Sequence, residues 1–175
     1  GVSIGALGLL CLGVPPSLEE IARIFLFLLF TAVYISFWLG LSLWFSVICQ
    51  NAAASAMAAI GVWLFCALFM GLVASMIANL VYPVNNEMQA LYNSYGNYTL
   101  ELDINRLSPY YLYSEAVTTI MNPSVRSVNV ITVESLSGAI SGYLSLGQSL
   151  LLVWPHLAGL IALMLITFAG SYVCF

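Results

Sequence analysis

Between Ile24 and Asn86 the chain carries no Asp, Glu, Lys, Arg or His. A helix crosses the hydrocarbon core of a bilayer with ~20 mainly apolar residues, so this stretch is long enough to cross twice. A polar patch, Cys49-Gln50-Asn51, sits near its middle. The pattern predicts two spanning helices, over 24–49 and 52–82, joined by a very short turn. Of 175 residues, 62% are hydrophobic and 6% charged, against about 25% charged in a soluble domain. That much apolar surface has to face lipid or protein. The expected fold class is all-α, a polytopic helical membrane protein.

The charges fall in two blocks. Glu19, Glu20 and Arg23 precede the long apolar run; Glu87, Glu101, Asp103, Arg106, Glu115, Arg126 and Glu134 follow it. With no Lys and a net charge of −4, a nucleic-acid partner is excluded, because phosphate binding needs clustered Lys and Arg. Cys11, Cys49, Cys66 and Cys174 lie in or beside apolar spans without CxxC or Cys/His spacing. They are read as small apolar packing residues. Cytoplasmic loops usually carry Lys and Arg, and neither the Gln50 turn nor either end does. The chain opens without Met inside an apolar run. A fragment, or the traced part of a longer chain, is therefore expected. Residues 1–13 look like the end of a preceding span, since they lack the basic start and cleavage pattern of a signal peptide.

Pro15-Pro16 breaks that first segment, because proline lacks an amide donor and clashes with the preceding turn. Ser17, with Glu20 three residues on, reads as a capping box. A helix is expected from about Leu18 to Cys49, its first turns interfacial and Arg23 snorkelling to the headgroups. The next helix should run to Tyr82 or kink near Gly71, and Pro83 ends it. Residues 84–149 hold seven of the ten charges and form a greasy extramembrane segment. Within it Ser108-Pro109 can start a helix. Leu112, Ala116, Val117 and Ile120 then share one face at helical spacing, and Asn122-Pro123 stops it. This helix should lie at the membrane surface or dip partly into it. Residues 125–147, rich in Ser, Gly and Val, read as loop or short strands. A last span is expected over 150–175, with Pro155 and His156 a few residues inside.

Small residues mark the candidate contact faces. Ser36/Gly40 and Ser42/Ser46 are each spaced by four, the pattern that lets helices approach closely in lipid. They form a packing seam or a substrate-lining stripe. Ala52, Ser55, Ala56 and Ala59 belong to a run of almost entirely small residues suited to tight helix contact. Glu115 is expected to pair with Arg106 or Arg126, or to meet a partner. His156, the single His, reads as a neutral interfacial residue or as a proton relay or ligand contact. Asn97-Tyr98-Thr99 matches the glycosylation acceptor pattern.

Catalytic chemistry is sparse. There is no GxSxG, no HExxH and no Asp in a span. Ser36, Ser42, Ser46 and Ser55 have no base in their own helices to activate them. Zinc hydrolysis needs about three protein ligands, and the cofactor and metal expectation is none. No Gly-rich phosphate loop is present, so ATP hydrolysis is not expected in this chain.

The order of these segments resembles the ABC type-2 transporter permeases. The likeness runs through Val14-Pro-Pro-Ser, Glu-Glu-Ile-Ala-Arg23 and the Phe27–Val47 stretch, then through 53–65. It returns at Arg106-Leu-Ser-Pro, Ser114-Glu-Ala, Asn122-Pro and Ser149-Leu-Leu-Leu-Val-Trp-Pro155. The nearest group is the bacterial and archaeal permeases related to the one serving nitrous oxide reductase maturation. The resemblance implies one permease domain over 1–175, the end of a third span followed by spans four to six, with the ATPase-docking coupling helix lying before Gly1. It implies a dimeric unit, homo- or heteromeric, in the inner or plasma membrane, with an ATP-binding cassette subunit that carries ATP and Mg²⁺. It places 14–17 and 84–149 outside the cell and Gln50-Asn51 in the cytoplasm, making Arg106, Glu115 and His156 extracytoplasmic contacts. The function implied is that of an exporter working by alternating access. Against it stand a non-transporting membrane scaffold that recruits a partner through 84–149, and an intramembrane enzyme.

Overall fold

The computed structural model describes residues 17–49, 51–121 and 145–175. The expectations for 1–16, Gln50, Asn122-Pro123 and Arg126, and for residues 125–144 of the anticipated loop or strands, lie outside these residues. Among the described residues all regular structure is helical. Helix α1 covers Leu18–Cys49, α2 Ala52–Leu64, a π turn Phe65–Phe69, α3 Met70–Val81, α4 Glu87–Asn105, α5 Pro109–Met121 and α6 Leu146–Cys174. Three of these stretches are long and apolar enough to cross a membrane: Leu18–Cys49, Ala52–Val81 and Leu146–Cys174.

The helix starts follow local chemistry. The Ser17 amide donates to Glu20 Oε2 at 2.7 Å and the Glu20 amide to Ser17 Oγ at 3.3 Å, satisfying two donors left bare at the start of α1. The Asn51 side chain accepts from the Ala53 amide at 3.0 Å and starts α2. Helix α6 begins at Leu146, four residues before the expected Leu150, because Ser145 and Gln148 form a second capping box. A π turn over Phe65–Phe69 interrupts the second span just before Gly71, where a kink was one of two expectations.

Helix α4 was not foreseen. Its Asn, Tyr and Gly content is poor helix-forming material, and tertiary contacts hold it instead. Asn93 Nδ2 donates to Pro83 O at 2.9 Å, and Asn97 Nδ2 to Tyr82 O at 2.8 Å and Asn79 Oδ1 at 2.9 Å. Gly96 lets the Tyr82 ring approach so closely that a Cβ there would stand 3.0 Å from it.

These contacts run α4 antiparallel to α3, from Pro83 back towards Gly71. The turn after α4 reaches further still, and Ser108 Oγ donates to Cys66 O at 3.1 Å. Cys66 is about 15 residues before the end of α3, roughly 22 Å along the helix axis. Helix α5 then returns beside α1 and α6. Tyr113 OH lies 3.0 Å from Thr31 Oγ1, and Ile120 O accepts from Arg23 at 2.8 Å near the start of α1. So α4 and α5 form a re-entrant hairpin whose tip is level with the middle of the second span.

The core is built where α5 enters between α1 and α6. Phe30, Ala116, Ile120, Val153, Leu157 and Leu160 are buried there, with Leu112 and Val117 packed against them. Nearer their C-terminal ends, α1 and α6 touch directly. A Cβ on Gly40 would stand 2.6 Å from Thr167 Oγ1, and one on Gly170 2.9 Å from the Trp44 ring. Lipid tails are as apolar as leucine, so such close packing, more than burial from water, holds helices together in a bilayer. The second span is covered far less; Ser55, Ala74 and Ala78 are its buried residues.

Candidate functional site

The hairpin places a charge cluster inside the bundle. Arg106 follows the last residue of α4, Glu115 is midway along α5, and His156 is a third of the way down α6. Arg106 grips the carboxylate with both arms of its guanidinium, Nε to Oε2 at 3.0 Å and Nη2 to Oε1 at 2.7 Å. His156 Nε2 meets Glu115 Oε2 at 2.8 Å. Glu115 is 5% exposed and His156 9%. Asp103, exposed at the end of α4, reaches Arg106 at 4.0 Å.

Burial pushes the Glu115 carboxyl up, but hydrogen bonds from His156 and Arg106, together with the charges of both, outweigh it and hold the group at about 2. Hydrogen bonding to Glu115 in turn raises Arg106 against its own desolvation. With the carboxylate ionised, His156 Nε2 carries the hydrogen and donates it. Nδ1 is buried and has no hydrogen-bond partner among the described residues. Both carboxylate oxygens are occupied, so Glu115 is not left over as a base for a nucleophile. It is a clamp joining the hairpin tip to the third described span. Among the described residues no group of His, Cys, Asp and Glu could hold a metal ion.

A second clamp sits at the other end of α5. Arg23 is 8% exposed rather than snorkelling to headgroups. Its guanidinium donates to Ile120 O at 2.8 Å, Ser149 Oγ at 3.4 Å and Glu19 Oε1 at 2.7 Å. It thereby satisfies a carbonyl bared at the C-terminal end of α5 and ties α1, α5 and α6 together. The sequence signal was a lone Arg, four residues after a Glu, opening an apolar helix; its partners were not visible.

The small residues divide. Gly40 is buried in the α1–α6 crossing. Ser36 is half-buried and Ser42 and Ser46 are exposed; the Ser36 and Ser42 hydroxyls bond back to Ala32 O and Trp38 O, each at 2.8 Å. Of the small run, Ser55 is buried, Ala59 half-buried, and Ala52 and Ala56 exposed. The Asn97 amide of the acceptor pattern is spent on Asn79 and Tyr82.

The sequence model of the ABC-2 family transporter protein matches residues 1–175. No curated protein and no solved structure matches significantly. The match spans the whole sequence and agrees with the three long apolar helices. The chain therefore belongs to the ABC-2 transporter family, as the multi-pass membrane permease subunit of an ABC transporter.

Proposed function

We propose that the chain forms part of the translocation pathway of an ATP-driven exporter in the plasma membrane, working by alternating access with a second permease subunit. A separate ATP-binding cassette subunit would bind ATP and Mg²⁺ and perform the hydrolysis. One observation carries this reading: the bundle has a clamped part and a loosely held part. Helices α1, α5 and α6 share the buried core and both Arg clamps. The second span touches that body mainly through α1, the π turn and the hairpin tip. A π turn inside a helix marks a place where the ladder of hydrogen bonds is already shifted, and it is suited to hinge motion. Bending of α2 relative to α3 and α4 about Phe65–Phe69 is the movement this arrangement favours. Ser36, Gly40, Ser42 and Ser46, with Ala52, Ser55, Ala56 and Ala59, would supply packing or pathway faces. Arg106, Glu115 and His156 would keep the outer half of the clamped body rigid.

The test is a pull-down of the full-length protein in mild detergent with ATPase activity assayed on what co-purifies. A nucleotide-binding subunit whose hydrolysis depends on this chain is the expected result. A clean preparation without ATPase, from cells that encode one, would overturn the transporter reading in favour of a scaffold.

A further inference from the structure

We propose that the chain binds a small neutral amide in a cleft between the π turn of the second span and the tip of the re-entrant hairpin. The cleft holds about 310 Å³, the space of roughly ten waters at ~30 Å³ each. One wall comes from the π turn and the start of α3, the other from the end of α4 and the first turns of α5.

Asn105 decides the chemistry. It lines the cleft and is 2% exposed, yet its side-chain amide makes no hydrogen bond among the described residues. An amide that faces a cleft without a protein partner is left for water or a ligand to satisfy. Gly71 leaves room beside it, since a Cβ at that position would stand 4.0 Å from Asn105 Oδ1. Asn105 presents an N–H donor and a C=O acceptor side by side. Another amide answers both with its own C=O and N–H.

The remaining lining narrows the class. Ser108 is committed to Cys66 O, which pins the hairpin tip to the π turn and fixes the wall. Ser114 and Tyr111 add hydroxyls, and Met70 and the tyrosine rings add apolar surface. No Asp, Glu, Lys, Arg or His lines the cleft, and the nearby Arg106 and Glu115 are bound to each other. A charged ligand would lose its hydration without gaining a counter-ion. An acyl chain would fit the apolar surface but leave Asn105 unanswered. A few convergent polar groups in a mostly apolar concavity is the usual form of a small-molecule site. The inference concerns binding alone and stands apart from the transport reading.

The test uses the purified full-length protein with every Cys except Cys66 replaced by Ala, Cys11, Cys49 and Cys174 among them, so that the cleft holds the remaining thiol. The probe is N-acetylalaninamide. The expected result is that the probe slows alkylation of Cys66 by a small thiol reagent several-fold and saturably. Asn105→Leu should abolish the protection and Tyr172→Phe, at an exposed position near the end of α6, should retain it. Gly71→Leu, which fills the cleft without touching the hydrogen bonds of the hairpin, should abolish it too. Unchanged alkylation with the probe at its solubility limit would overturn the proposal. So would equal protection by an apolar molecule of the same size, which would make the cleft an acyl-chain groove, or protection that survives Gly71→Leu.

Discussion

Glu115 Oε2 and His156 Nε2 meet at 2.8 Å across 41 residues of sequence. The same carboxylate is gripped by Arg106, so one side chain holds the hairpin tip, α5 and α6 in a single arrangement. Breaking a buried ion pair by removing one partner typically costs 3–5 kcal/mol, because the other charge is left uncompensated. Arg106 keeps partial solvent access, which places Glu115→Ala at the lower end, about 3 kcal/mol. His156→Ala removes one hydrogen bond to the carboxylate and should cost about 1–2 kcal/mol. Thermal unfolding in detergent, with helicity as the signal, orders the two; equal losses would refute the ranking.

The clamp also fixes a pH dependence. The folded-state carboxyl of Glu115 titrates at about 2, below its ordinary value of about 4.3. A depressed carboxyl contributes stability that is fully present above its unfolded value and is lost as pH falls towards the folded one. The stability gap between wild type and Glu115→Gln should therefore be flat from neutral pH down to about 5 and shrink below about 4.3. Melting curves across this range would check it, and a gap that grows on acidification would contradict the assignment.

The α1–α6 crossing predicts a split among small-residue substitutions. Gly40→Leu drives a side chain into Thr167 and Phe168, and overpacking of this kind costs about 1–3 kcal/mol. Gly61→Leu meets open space and Ala56 is exposed, so neither Gly61→Leu nor Ala56→Leu should change the stability of the isolated chain by more than about 0.5 kcal/mol. If the Ala52–Ala59 face is a subunit contact, Ala56→Leu will lower recovery of the assembled transporter while leaving the isolated chain intact. Size-exclusion chromatography and melting curves separate the two effects.

Arg23 supplies a fourth test. Arg23→Met keeps the apolar stem but removes the donors to Ile120, Ser149 and Glu19. Hydrogen bonds to a charged group are worth about 1.5–3 kcal/mol. The loss should appear as faster hydrogen exchange in the last turn of α5, with α2 and α3 unchanged. Uniform exchange along α5 would show that the core alone holds the helix.

The hinge reading makes a final prediction. Deleting Ala67 removes the extra residue of the π turn and restores plain α-helix, while the flanking turns keep their register. Asn79 and Tyr82 should stay against Asn97, so α4 keeps its protection from proteolysis, while the ATPase activity of the assembled transporter falls. Undiminished activity would mean that the π turn is not the hinge.

The long spans were legible because lipid imposes a one-dimensional rule: about 20 apolar residues and no charge. Capping chemistry is equally local, which is why Ser17-Glu20 marked the start of α1 and Ser108-Pro109 that of α5. The faces of α5 could be read from the spacing of Leu112, Ala116, Val117 and Ile120. Helix α4 could not, since Asn93 and Asn97 hold it through partners on and just beyond the neighbouring span rather than through its own propensity. Arg106 was one of two candidate partners for Glu115, and nothing in the spacing pointed to His156. That choice depended on the hairpin folding back between α1 and α6. Sequence alone determined which segments lie in the membrane, because the solvent selects them residue by residue. Tertiary structure decided where the charges go, because a buried charge persists only where a partner from a distant segment meets it.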